Sequence, residues 1–241
     1  MWWLAHRFGR FLVPLRCVAC DGRAESLLCE FCSLSSGFYP DNSCPGCGSP
    51  LSSARKEGLW RPCSRCDVLK RQSYCGVHVS WEYRGAISDA LKSAKLGSRM
   101  DKASTLAALG GMNPPPSKIL LGVDVVVPVP PSPDRLRSVG FDLVTEMAAV
   151  WARCLERPLE LRALRRRKGP SQTRLSPSER RVRAMENFEP GSGRNRLKGK
   201  KVLVVDDIRT TGSTLNAVAK HLRTLDVGSC AAWVLCGRSG G

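Results

Sequence analysis

Acids and aromatics are both scarce in this sequence. Only 21 Asp and Glu stand against 38 Lys and Arg, a formal net charge of +17, and aromatic residues make up 6% of 241. The first shortage argues against a surface that repels phosphate. The second leaves little material for a base-stacking platform. No apolar run approaches the ~20 residues of a membrane span, which argues against an integral helical membrane protein. The opening MWWLAHRFGRFLVP is broken by His6, Arg7 and Arg10, and no small-residue cleavage site follows it, so no secretory leader is expected. GxxxxGK[ST] is absent as well. With 42% hydrophobic and 24% charged residues the chain can still build a core, and its length suits one large or two modest domains.

What is present is unevenly distributed. Arg162 to Lys201 carries 14 basic residues against Glu179, Glu186 and Glu189, a segment that should attract phosphates on a small ligand, a nucleic acid or a membrane surface. Nine of the 12 cysteines precede residue 76, and eight of them form the CxxC pairs Cys17/Cys20, Cys29/Cys32, Cys44/Cys47 and Cys63/Cys66. In a reducing, cytosolic setting such pairs bind metal more often than they form disulfides. Eight thiolates suffice for two tetrahedral, structural Zn²⁺ sites, and sequential or crossed pairing of the CxxC units would serve equally. Cys75-Gly76-Val77-His78 has CxxH spacing and is the weaker alternative ligand source. Aliphatic residues are nearly missing among these turns, so residues 1–75 should form a zinc-bound domain that takes its stability from metal.

From about Val77 apolar runs alternate with helical patterns, as in βαβ units, and residues 76–241 are expected to form an α/β domain. Strands are expected at Val77–Tyr83, Val123–Val127, Leu159–Leu164, Lys201–Val205 and Ser229–Leu235. Helices are expected within Ala86–Leu109 and over Gly140–Leu155 and Ser213–Leu225, with a loop at Gly110–Pro116. Cys154, Cys230 and Cys236 read as small buried hydrophobes, and Gly191-Ser192-Gly193 as a turn.

Val202 to Thr214, VLVVDDIRTTGST, is the most informative stretch: a buried strand ends in Asp206 and Asp207 and turns through hydroxyl residues into a helix. Main-chain N–H groups and hydroxyls at Thr210, Thr211, Gly212, Ser213 and Thr214 suit a phosphate. The two carboxylates suit vicinal ribose hydroxyls, directly or through a hydrated Mg²⁺. A Walker B strand ends similarly, but its partner phosphate loop is missing. A solvated helix cap is the remaining plain reading of the acid pair.

This stretch resembles the phosphoribosyl pyrophosphate (PRPP) signature of type I phosphoribosyltransferases. Val126-Val127-Pro128-Val129-Pro130 with Arg135-Leu136-Arg137-Ser138-Val139-Gly140-Phe141-Asp142 resembles a segment of the ComF family of competence-related proteins. So do Gln172-Thr173-Arg174-Leu175-Ser176, Glu179-Arg180-Arg181, Tyr83-Arg84-Gly85 with Lys92 and Lys95, and the CxxC array. The resemblance covers roughly residues 17–237. It implies a type I phosphoribosyltransferase fold, an open and mainly parallel sheet with helices on both faces, behind a zinc finger. It also implies a pyrophosphate loop with Pro130, Pro131, Ser132, Arg135 and Arg137, and a mobile basic segment with Arg165, Arg166, Arg167, Lys168, Gln172 and Arg174 closing over the substrate. Asp206 and Asp207 would stabilise a cationic sugar as pyrophosphate leaves. Pro131-Ser132-Pro133 departs from relatives with a His there, and Asp142 stands where Asn is common, either adding charge near the phosphate site or capping the helix that follows.

The leading expectation is therefore a cytoplasmic ComF-type, PRPP-binding phosphoribosyltransferase-like protein linked to DNA uptake or nucleotide metabolism. The alternative is a non-enzymatic single-stranded-DNA-binding protein of the uptake machinery that uses the fold as a phosphate scaffold. PRPP as an effector without turnover is a third reading. Trp60, Tyr74 and Trp81 are the aromatics best placed to stack on bases.

Overall fold

The computed structural model describes residues 16–51, 63–64, 66, 74–96, 100–167 and 187–238. Four parallel strands form the central sheet: β1 (Gly76–Glu82), β2 (Val125–Pro128), β5 (Lys201–Arg209) and β6 (Ser229–Gly237), in the order β1-β6-β5-β2. β5 and β6 are buried almost throughout, which is why they read as unbroken Val, Leu and Ala runs rather than as alternation.

Helices α2 (Gly85–Leu96) and α3 (Met100–Met112) follow β1, and the short α4 (Ser117–Leu120) leads into β2. The expected loop at residues 110–116 begins only after Met112, so Gly110 and Gly111 are helical. Packing explains Gly110: a Cβ there would lie 2.4 Å from Cζ2 of Trp151. Trp151 belongs to α6 (Leu143–Cys154) and stacks on Trp233 of β6, with centroids 3.7 Å apart. Each buried indole N–H has a partner, Trp151 on Ala107 O, Trp81 on Leu109 O and Trp233 on Ser80 Oγ. α6 begins where Asp142 accepts from Thr145 N at 2.9 Å, so Asp142 is that helix's cap. Cys230 and Cys236 are buried as expected; Cys154, at the end of α6, is exposed, because that last turn faces solvent.

Two expectations were displaced. Leu159 makes a single parallel bridge to Val126, and the strand forms later, at β3 (Leu164–Arg166), which pairs antiparallel with β4 (Phe188–Pro190). The pyrophosphate loop implied at Pro130, Pro131, Ser132, Arg135 and Arg137 is not loop throughout: helix α5 forms at Pro133–Val139, where proline sits at the first helical position and costs no hydrogen bond. The last helix, α7 (Ser213–Arg223), crosses from β5 to β6.

The cysteine-rich segment, with the short helix α1 (Glu30–Leu34), packs directly on the sheet. Cys17, Val18, Leu28, Cys32 and Tyr39 join the same hydrophobic cluster as the strands. Tyr39 N donates to Ser80 O, Glu82 N donates to Gly37 O, and Phe38 bridges Trp81 in antiparallel sense, so residues 37–39 lie along the outer edge of β1.

Candidate functional site

Asp206 and Asp207 sit near the carboxyl end of β5, the position where parallel α/β sheets open their ligand crevice. They are 7% and 8% exposed, which excludes a solvated cap. Asp206 Oδ1 accepts from Asp207 N at 3.0 Å. Burial, then the neighbouring Asp207 charge, pushes the Asp206 carboxyl up to about 8. Lys95, near the end of α2, brings Nζ to 2.5 Å from Asp207 Oδ2. Arg166 of β3 also faces the acids. Burial pulls its pKa below the ordinary value, and the charges of Asp206 and Asp142 act against that.

The strand explains why Arg166 differs from its neighbours. Side chains alternate along β3, so Arg165 and Arg167 point away, exposed and paired to Glu189 at 2.6 and 3.0 Å. Arg166 turns inward, over the ring of Phe188 at 5.4 Å. The basic strip read as uniform in sequence thus divides into one inward and two outward guanidinium groups. Lys168, Gln172 and Arg174 lie outside the described residues.

Beyond the acids, Thr210 and Thr211 are exposed and Gly212, Ser213 and Thr214 half-buried at the amino end of α7. Gly212 has φ +73°, the left-handed conformation that favours glycine, and this turns the strand into the helix. Thr211 Oγ1 donates to Ser213 Oγ at 3.0 Å. Tyr74 is buried beneath, its hydroxyl donating to Leu215 O at 2.6 Å, so it braces the first turn of α7 and cannot stack on a base. Trp81 is buried too, and Trp60 is outside the described residues.

The segment after β2 runs beside the acids. Val129 N donates to Val205 O, Pro130 is buried, and Pro131 and Ser132 are half-buried. Arg137 is exposed and engaged with Asp134 at 2.8 Å. Arg135 lies on α5, and its side chain is outside what is described.

The eight CxxC cysteines fall into two groups, Cys17, Cys20, Cys29 and Cys32, and Cys44, Cys47, Cys63 and Cys66, with all sulfurs of a group within 4.8 Å of one another. The pairing is therefore sequential. A regular Zn–S tetrahedron of ~2.3 Å bonds spaces its sulfurs about 3.8 Å apart. Cys20 and Cys29 are 3.8 Å apart and Cys47 and Cys63 3.9 Å, so both groups could hold zinc. Such crowding splits the thiols. The Cys44 thiol, more than any other group, lowers Cys47 to about 4 against the effect of burial, and Cys44 itself is pushed up. Neither Cys75 nor His78 is in either group: His78 Nε2 lies 2.7 Å from Asn113 O within β1.

A parallel sheet covered by helices, with an acidic strand end and hydroxyl turn at its carboxyl edge, is the arrangement of an α/β ligand-binding domain. Residues 145–241 match the family model "Phosphoribosyl transferase domain". Over nearly its whole length the chain is similar to competence protein F of Haemophilus influenzae, 28% identical across 91% of this chain and 96% of the relative. It is 25% identical to competence protein ComFC of Bacillus subtilis, over 95% and 96% of the two chains. The DNA utilization protein YhgH of Escherichia coli is also 25% identical, over 87% and 89%. The resemblance to ComF proteins carried by the motifs thus extends through both the cysteine-rich and the α/β parts.

Proposed function

We propose that this chain is a PRPP-binding, phosphoribosyltransferase-like protein of the competence-linked ComF type, with a zinc-bound module at residues 1–75 and a phosphoribosyltransferase domain at 76–241. The observation that carries the reading is the pair of buried acids, Asp206 and Asp207, set directly before a hydroxyl-rich turn into α7 and faced by Lys95 and Arg166. Backbone phosphate binding alone has no use for buried paired carboxylates. Thr210 to Thr214 would hold the 5-phosphate, and Asp206 and Asp207 the ribose hydroxyls. An acid whose proton is held up to about 8 by burial and a like neighbour fits a cation, so a hydrated Mg²⁺ suits this pair and would supply charge neutralisation for pyrophosphate.

In turnover, an acceptor would attack the anomeric carbon as its bond to the pyrophosphate oxygen breaks, the electron pair leaving with pyrophosphate. Asp206 and Asp207 would stabilise the cationic sugar; Arg166 and the turn at Pro130, Pro131 and Ser132 would face the leaving group. Calorimetry with PRPP, with and without Mg²⁺, tests the reading. Wild type should bind, and Asp206→Asn with Asp207→Asn should not while remaining folded; equal affinity in the double variant refutes the site.

A second reading, single-stranded DNA binding, is favoured by the exposed Arg165 and Arg167, the +17 charge, and the words competence and DNA utilization in the names of the relatives. The two readings are compatible. Among the described residues no helix is long and apolar enough to cross a membrane. A reducing cytoplasm, where the eight CxxC thiols stay available to hold metal, belongs to this reading.

A further inference from the structure

Arg209 stands inside the candidate sugar-phosphate motif, between Ile208 and Thr210, yet its side chain leaves the site. It is 5% exposed. Nε donates to Cys47 O at 2.6 Å, one terminal nitrogen to Ser49 Oγ at 2.5 Å, and the other to Tyr39 OH at 3.2 Å. All three partners belong to the cysteine-rich segment, and Cys47 is itself a member of the second four-thiol group. Ser49 Oγ also accepts from Cys47 Sγ at 3.2 Å, so the guanidinium reaches that sulfur through one hydroxyl. Tyr39 is fixed in turn by donating to Gly48 O. Cys47 O further lies 3.8 Å from where a Cβ of Gly212 would stand, so one carbonyl lies close to both the base and the crest of the turn.

Electrostatics gives this contact a direction. A buried guanidinium needs a compensating charge, and no carboxylate among the described residues pairs with Arg209. A divalent metal bound by four thiolates carries a net charge of −2. The loaded site of Cys44, Cys47, Cys63 and Cys66 would be the counter-charge that Arg209 lacks, and Arg209 an outer-shell donor to it. Among the described residues the first group has no comparable line to the turn. Besides its apolar packing, its polar contacts to the α/β part among the described residues, Asp21 with Lys102 of α3 at 3.2 Å and Ser35 Oγ accepting from Ala86 N of α2 at 3.3 Å, lead away from the turn.

We propose that Arg209 is a positioning residue that couples the second four-thiol site to the sugar-phosphate turn. Metal on Cys44, Cys47, Cys63 and Cys66 fixes Arg209 and through it Thr210 to Gly212, so phosphate affinity depends on that metal. By reciprocity, an occupied turn holds that metal, and not the one on Cys17, Cys20, Cys29 and Cys32, more tightly. The inference rests on the sugar-phosphate reading for its ligand but not for the tether.

The full-length, zinc-loaded protein tests it in three measurements. In wild type, PRPP should slow chelator removal of one of the two zinc ions. In Arg209→Met, with both ions retained, amide exchange over residues 209–214 should speed up about tenfold while β6 is unchanged, PRPP affinity should fall about tenfold, and PRPP should no longer protect the zinc. Arg209→Lys keeps charge without the fork and should show the same pattern more weakly; it replaces the Met variant if that fails to fold. Unchanged exchange at 209–214 overturns the tether whatever PRPP does. Altered exchange with no PRPP binding by wild type leaves the tether standing and removes the sugar-phosphate reading instead. PRPP binding without zinc protection in wild type overturns the coupling.

Discussion

Lys95 Nζ lies 2.5 Å from Asp207 Oδ2, across the gap between the end of α2 and the end of β5. These are chain segments more than a hundred residues apart, and the ammonium stands where two buried carboxylates would otherwise repel each other. Lys95→Met should therefore destabilise the protein without added metal by about 1–3 kcal/mol, the cost of leaving a buried charged group without its partner. Mg²⁺ should restore part of that loss. Urea unfolding with and without Mg²⁺ measures both, and equal stability of variant and wild type would remove Lys95 from the charge balance.

Asp206 predicts a pH dependence of definite sign. Its carboxyl is held at about 8 by burial and by Asp207, against ~3.9 in an unfolded chain. The folded protein thus binds this proton more tightly, so the group's contribution is most favourable in acid, erodes as pH rises from ~4 and levels off above ~8. Asp206→Asn removes the erosion and can still accept from Asp207 N. Its melting temperature should match wild type near pH 5 and exceed it by several degrees at pH 8. A parallel shift at both pH values would contradict this.

Gly110 and Gly111 give an internal control on packing. Gly110→Ala would press a methyl against Trp151 and should cost about 1–3 kcal/mol. Gly111 has nothing within 4 Å of its would-be Cβ, so Gly111→Ala should gain about 0.4–1 kcal/mol by restricting the unfolded chain. Denaturant midpoints of the two variants should fall on opposite sides of wild type.

The division of the basic strip separates the two functional readings. Arg166→Ala should weaken PRPP binding at least tenfold because that guanidinium faces the acids. Arg165→Gln with Arg167→Gln should leave PRPP affinity within about twofold. On single-stranded DNA the same double variant should flatten the plot of log affinity against log salt by about 1.4, two phosphate contacts at about 0.7 each. An unchanged slope would take these residues out of any DNA contact.

The central strands, the helices that cover them and the Asp206-to-Thr214 turn were legible because a strand buried on both faces leaves an unbroken apolar run. Punctuation by Asp-Asp and Gly then marks its end. The sequential grouping of the cysteines was not legible, since equal CxxC units fit either pairing and only the fold brings Cys17 to Cys29 and Cys44 to Cys63. Nor could composition sort Arg166 from Arg165 and Arg167. Their separation depends on a three-residue strand whose partner, β4, lies more than 20 residues on, and local pattern carries no trace of such pairing. Arg209 is inconspicuous in sequence for a related reason: inside a motif that explains its neighbours, only its contacts with Cys47, Ser49 and Tyr39 reveal that it faces away. Gly110 reads as a loop residue in sequence because glycine more often ends a helix than makes room for an indole.

Residues 37–39 lie along β1, on the side of the sheet away from β6, and occupy part of its hydrogen-bonding edge through Tyr39 N and Gly37 O. An open edge is a template on which a second chain can add its own strand. The cysteine-rich segment therefore acts as a guard against self-association. A chain stripped of its metals would be liable to stack edge to edge into aggregates through β1, at the opposite edge of the sheet from β2.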